Sequence, residues 1–241
     1  MKIAVTNYCG TVGKTTIAAH LLSPRMNDAP VLAIESVNET AEGLGVDVEK
    51  IRGDRFKDFF KRIITLDDAI IDVGASNVED FLAGMTQFED SHLEVDRFIV
   101  PVTSGNKEQK ETLAMIATLS GFGIPKERIR ILFNRIESDV ETEFPLVLSY
   151  ARREQNCIAD PAASIFENEV FDLLGTRGLN IAQALNDETD YKTKLRELGK
   201  DGDPRLRAQY ADLHAIKALA KSVNRNLDAA FAAITEETSH G

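Results

Sequence analysis

The segment Gly10-Thr11-Val12-Gly13-Lys14-Thr15-Thr16 constrains this chain most. It follows a short apolar run, Ile3-Ala4-Val5, and precedes helical apolar spacing at Ile17, Ala18, Leu21 and Leu22. A strand that feeds a glycine-containing turn into a helix points successive backbone N–H groups inward, and the helix adds its positive end. Such a loop cradles phosphate. Gly10 and Gly13 permit the tight backbone, and Thr11 and Val12 lend N–H groups between them. Lys14 would reach the β- and γ-phosphates of a nucleoside triphosphate, the Thr15 hydroxyl would bind Mg²⁺, and Thr16 starts the helix. Tyr8 stands where the usual pattern has its first glycine, so the pattern is met at its Gly13-Lys14-Thr15 end and not at its beginning.

Further apolar runs follow at Val31–Ile34, Ala69–Ile71, Phe98–Val100 and Ile129–Phe133, with Leu146-Val147-Leu148 as a candidate sixth strand. Between them, Phe56, Phe59, Phe60 and Ile63 have helical spacing, and helices are expected over Val78–Phe88 and Glu108–Leu119. Residues 36–50 read as a polar loop. Short, continuously apolar strands alternating with helices predict an α/β fold, a mostly parallel sheet covered by helices on both faces. Functional groups then belong at the C-terminal ends of the strands.

Four residues outside the loop fall at such ends. Asp72 would hold Mg²⁺ opposite Thr15, directly or through water, or else cap the next turn. Gly74 beside it could supply a backbone N–H to the γ-phosphate. Glu35 could orient water or serve a metal-bound water, or be an ordinary surface residue. Asn134 could pair with adenine; guanine is disfavoured because Asn134-Arg135-Ile136-Glu137 is not the Asn-Lys-x-Asp pattern. The expected site is thus Lys14, Glu35 and Asp72 for catalysis and Thr15 and Asp72 for metal. Gly10 to Thr16, Gly74 and Asn134 are expected to bind nucleotide.

From about residue 150 the texture turns helical, suggesting a nucleotide-binding domain over 1–150 and a helical C-terminal region over 151–241. After the capping pair Asp203-Pro204, the residues Leu213, Ile216, Ala220, Val223, Leu227, Ala230 and Ile234 form a heptad stripe. It fits a helix lying across its own domain or a seam for a partner. Lys192, Lys194, Arg196, Lys200, Arg205 and Arg207 make a locally basic stretch interleaved with acids, either a solvated face or a nucleic-acid contact. The net charge of −11 argues against a basic surface throughout. Cys9 and Cys157 form no disulfide framework, and Cys9 is either a small packed side chain or a thiolate stabilised by the loop. His20, His92, His214 and His240 show no pairing, and there is no zinc-binding pattern. Neither a signal peptide nor an apolar run of the ~20 residues a membrane helix needs is present, so a cytoplasmic location is expected.

Residues 1–148 resemble the ATPase family that includes the plasmid-partition ParA and cell-division MinD proteins. The likeness lies in Cys9 to Thr16, Val31 to Glu35, Ile70-Ile71-Asp72-Val73-Gly74, Ile99-Val100-Pro101-Val102 and Leu132-Phe133-Asn134-Arg135. It implies a P-loop NTPase fold, ATP with Mg²⁺, a homodimer that traps ATP, and a role in positioning plasmids, chromosomes or division proteins. The short chain and helical C-terminal part are similar to StbB plasmid-stability proteins of conjugative plasmids, which act beside a DNA-binding partner. Against the family pattern, Cys9 replaces the lysine that reaches the partner's nucleotide, Thr11 replaces a loop glycine, and Val37 stands at a second acidic position after Glu35; the nearby Glu39 is not its equivalent. These departures imply slow or partner-dependent hydrolysis. Two other readings remain open: a small-molecule phosphotransferase or ligase with an acceptor site lined by residues 36–66, and a non-hydrolysing interaction module acting through the C-terminal helix.

Overall fold

The computed structural model describes residues 1–27, 29–35, 41–200 and 202–236. Among the described residues, seven strands form one sheet: β1 (Lys2–Val5), β2 (Val31–Ile34), β3 (Val48–Ile51), β4 (Ala69–Val73), β5 (Arg97–Val102), β6 (Ile129–Ile136) and β7 (Ser164–Phe166). Their order is β3-β2-β4-β1-β5-β6-β7, and every pairing is parallel. Parallel strands need crossovers that cover the sheet, and the helices do so on both faces.

Alternation along the strands divides the core in two. Ala4, Ile71, Val73, Phe98 and Val100 face a cluster with helices α2 (Phe56–Ile63), α3 (Val78–Gln87), α4 (Asn106–Gly121) and α6 (Pro145–Glu154). On the opposite face, Ile3, Val5, Ile70, Ile99 and Leu132 meet the segment after the loop and the C-terminal helices. The loop's helix starts as one α-turn, α1 (Lys14–Thr16), and continues as a π-helical stretch over Ile17–Leu22 with every residue buried.

Sequence and structure differ at three elements. Leu146-Val147-Leu148 is not a strand but part of α6, which has Pro145 at its first turn and buries Val147, Leu148 and Ala151 at helical spacing. Residues 48–50, the end of the 36–50 stretch read as a loop, belong to the edge strand β3, whose central Glu49 and Lys50 are exposed. Charged residues on an edge block further strand addition and also mask the strand in the sequence. The segment after residue 150 supplies β7, with Phe133 of β6 opposite Ser164. After β7 come α7 (Val170–Gly175), α8 (Ile181–Asn186), α9 (Tyr191–Leu198) and α10 (Pro204–Thr235); the short α5 (Val140–Glu143) precedes α6.

The heptad stripe packs within the chain. Ile216, Ala220, Val223, Leu227, Ala230 and Ile234 of α10 are all buried in the second core cluster. Asn226 accepts from the Phe166 N–H at 3.2 Å and donates to the Ser164 carbonyl at 2.8 Å, closing part of the free edge of β7. Arg25 donates to the Asn224 side chain at 2.7 Å and pairs with Asp228 at 2.7 Å. The Asp203 carboxylate caps α10 by accepting from the Arg205 N–H at 2.8 Å.

Candidate functional site

The loop between β1 and α1 is organised by Asn7, a fully buried residue. Its side-chain oxygen accepts from the Cys9 N–H at 2.9 Å, while its amide donates to the Pro101 carbonyl and to the Thr112 hydroxyl, each at 2.8 Å. Cys9 is buried, and its Sγ lies 3.2 Å from the Thr11 hydroxyl, so these two loop residues brace each other. Lys14 is buried and donates to the carbonyls of Cys9 at 2.6 Å and Asn7 at 3.3 Å.

Gly13 has φ +82°, and a Cβ there would lie 2.7 Å from the Asn134 side-chain nitrogen. That nitrogen donates to the Val12 carbonyl at 2.9 Å. Asn134 therefore clamps the loop, and only a glycine fits under the clamp. Val12 is fully buried and offers the loop its backbone alone. Gly10 differs, since an added Cβ would meet Ala75 at 3.9 Å, an ordinary contact.

Asp72 sits inside β4, opposite Val5 of β1. One of its carboxylate oxygens accepts from the Thr15 hydroxyl at 2.7 Å, and the other is buried without a hydrogen-bond partner. Burial raises its pKa, while the Thr15 bond and the Lys14 charge pull it down. An orphaned carboxylate oxygen beside a threonine hydroxyl is the hard-oxygen donor set that suits Mg²⁺, which takes few protein ligands and completes its shell with phosphate and water. Among the described residues, no group of three or more His, Cys, Asp or Glu is placed to cage a metal.

A cavity of about 730 Å³ lies over the loop. Gly10, Thr11, Lys14 to Thr16, Glu35 and Gly74 line it, so the structure brings most of the sequence-expected residues to one place. Gly74 donates its N–H to the Ile34 carbonyl at 3.0 Å, which ties the turn after β4 to the end of β2. Val37 and Glu39 lie outside the described residues.

A second cavity, of about 420 Å³, adjoins the first at Gly13, Thr16 and Arg135, with Asn134 also on its wall. Its wall is largely apolar, with Ile17, Leu44, Ile165 and Phe171. His20 lines it too. Burial lowers the His20 pKa to about 4, so the ring is neutral near pH 7. Its Nδ1 accepts from the Ile181 N–H at 3.2 Å, its Nε2 has no partner, and the ring leans on Phe171 with centroids 5.5 Å apart. Asn7, His20 and Arg135 were not among the expected site residues. The basic stretch is split, with Lys192, Lys194 and Arg196 exposed on α9 and Arg207 donating to the Gly199 carbonyl.

No protein-family model matches the chain, and no curated protein does. Solved structures do resemble it. The cell-division ATPase MinD of Pyrococcus furiosus is 15% identical with a TM-score of 0.55, over 93% of this chain and 98% of that one. The septum site-determining protein MinD of Pyrococcus horikoshii, complexed with Mg-ADP, is 14% identical with a TM-score of 0.52, over 93% and 96%. Apo McdA of Cyanothece is 16% identical with a TM-score of 0.51, over 93% and 99%. What these likenesses show is the fold. This chain has the same parallel-sheet fold as these MinD and McdA structures, over 93% of its length. Among the described residues, no helix is long and apolar enough to cross a membrane.

Proposed function

We propose that this chain is an ATP-binding switch, a slow or partner-activated ATPase. Its setting would be plasmid stability, segregation or conjugative transfer. The observation that carries the reading is the Thr15–Asp72 pair at 2.7 Å, with an orphaned Asp72 oxygen, beside a loop closed by Lys14. A nucleoside triphosphate with Mg²⁺ satisfies all three.

Lys14 and the backbone N–H groups of the loop would hold the phosphates and stabilise the charge that develops as the γ-phosphoryl leaves. Thr15 and Asp72 would hold Mg²⁺, which neutralises phosphate charge when bound. Glu35, on the rim of the 730 Å³ cavity, would orient the attacking water. The adjoining apolar cavity is suited to a base, and Asn134 on its wall supports adenine. The Mg-ADP complex of the P. horikoshii protein is consistent with this choice of ligand.

Slow turnover is expected because Cys9 bears no cation and Val37 no acid. A DNA-binding protein partner or a second copy of the chain would then complete the site. The phosphotransferase reading gains no support, since among the described residues none of 41–66 lines the phosphate cavity. The interaction-module reading loses the α10 stripe, which is buried within the chain.

Single-turnover and steady-state phosphate release from Mg-ATP, with and without the replicon's DNA-binding partner, tests the proposal. Slow release that rises with the partner supports it. Release only on addition of a small-molecule acceptor would favour the phosphotransferase.

A further inference from the structure

Arg135 stands where the two cavities meet and lines both. It reaches that place by a fault in the sheet. Along β6, Ile129, Ile131 and Phe133 face one core cluster, and by strict alternation residue 135 would follow them. Ile136 takes the place instead, because the pairing with β7 shifts between Asn134 and Ile136. Arg135 is left outside the alternation with φ +57°, a left-handed backbone that a non-glycine residue adopts only at a cost. Bulges of this kind re-aim a side chain and recur beside active sites.

The ejected guanidinium is loosely held. Its ion pair with Glu167 spans 3.9 Å, with the two side chains 57% and 54% exposed. A pair of that geometry in solvent is weak. Phosphate oxygens offer a guanidinium two parallel charge-assisted bonds, a stronger and better-matched partner. Lys14 is the other cation on the described wall of the phosphate cavity, and it is already bonded to two carbonyls.

We propose that Arg135 is a nucleotide-binding residue that grips the phosphates of the bound triphosphate from the same chain, and that Glu167 is a competing anion that holds it when the site is empty. This rests on the nucleotide-binding reading above. The guanidinium exchanges Glu167 for phosphate, while the base fills the apolar cavity on its other side.

The test is titration of ATP and of adenosine, with Mg²⁺, into wild type, Arg135→Gly, Arg135→Lys, Glu167→Gln and the Arg135→Gly/Glu167→Gln double variant. Glycine suits the left-handed backbone and removes the side chain without strain. Arg135→Gly should weaken ATP about ten-fold or more and shift adenosine by less than about two-fold, with partial recovery in Arg135→Lys. Glu167→Gln should tighten ATP, and that gain should vanish in the double variant. Intact ATP affinity in Arg135→Gly, or an equal loss for ATP and adenosine, would overturn the proposal while leaving the nucleotide reading in place. An equal gain from Glu167→Gln with and without Arg135 would overturn the competing-anion part. Wild type that binds no ATP would overturn both readings together.

Discussion

The Lys14 ammonium donates to the Cys9 carbonyl at 2.6 Å, so the lysine closes a ring with the loop that carries it. The bond links residue 9, where the family pattern has a lysine, to the lysine that remains. In this arrangement Lys14 braces the empty loop as well as facing the phosphate cavity. Lys14→Ala should therefore lower stability by about 1–3 kcal/mol, because the buried Cys9 and Asn7 carbonyls lose a donor. Urea unfolding monitored by circular dichroism measures that loss, and an unchanged midpoint would contradict the brace.

The two loop glycines should respond differently. Gly13→Ala forces a Cβ to 2.7 Å from Asn134 on a φ +82° backbone, whereas Gly10→Ala meets only Ala75 at 3.9 Å. Gly13→Ala should abolish measurable nucleotide binding, and Gly10→Ala should leave the fold intact with affinity reduced by about ten-fold or less. Titration of both variants beside their melting temperatures separates the cases.

Asp72 combines a desolvated carboxylate with an orphaned oxygen, a costly arrangement without a cation. Asp72→Asn should leave the empty protein as stable as wild type or more so, while removing the Mg²⁺ dependence of ATP affinity. Melting temperatures with and without Mg-ATP test this. A variant that melts lower and still gains from Mg²⁺ would place the metal elsewhere.

His20 gives the fold an acid-side sensitivity. Its folded pKa of about 4 lies below the ordinary 6.5, so the unfolded chain takes up a proton first as pH falls. Stability from this group is full above pH 6.5 and lost progressively between 6.5 and 4, by up to about 3 kcal/mol. Asp187, held at about 2 chiefly by its Tyr191 hydrogen bond, loses its contribution only below the ordinary carboxylate range. His20→Asn keeps an acceptor for the Ile181 N–H and should flatten the upper window in a pH series of urea melts.

The α10 stripe gives a prediction about assembly. Leu227 is fully buried against the sheet's second core, so Leu227→Ala should cost about 2–5 kcal/mol. Sedimentation of the variant should match wild type at equal concentration. A changed oligomeric state with little loss of stability would indicate a seam between chains.

The residues legible in the sequence were those that end apolar runs. Glu35, Asp72 and Asn134 are marked by strands buried on both sides, and Lys14 and Thr15 by the loop pattern. Asn7 carries no such mark, since it works through a local bond from the Cys9 N–H and two bonds to the distant Pro101 carbonyl and Thr112 hydroxyl. Arg135 depends on a shifted pairing with β7, a strand of three residues too short to show alternation. Leu146-Val147-Leu148 misled because three apolar residues fit either element. Pro145 before them and Ala151 one turn on favour the helix. Asn224 and Asn226 interrupt no apolar pattern that would mark them, yet they tie α10 to Arg25 and to the edge of β7.

Calorimetric titration of ATP with Mg²⁺ into wild type and Lys14→Ala tests the central claim most directly. Wild type should bind one ATP per chain, GTP more weakly, and Lys14→Ala should show no measurable ATP heat while remaining folded. Wild type that binds neither nucleotide, or Lys14→Ala that binds ATP as tightly as wild type, would contradict the account.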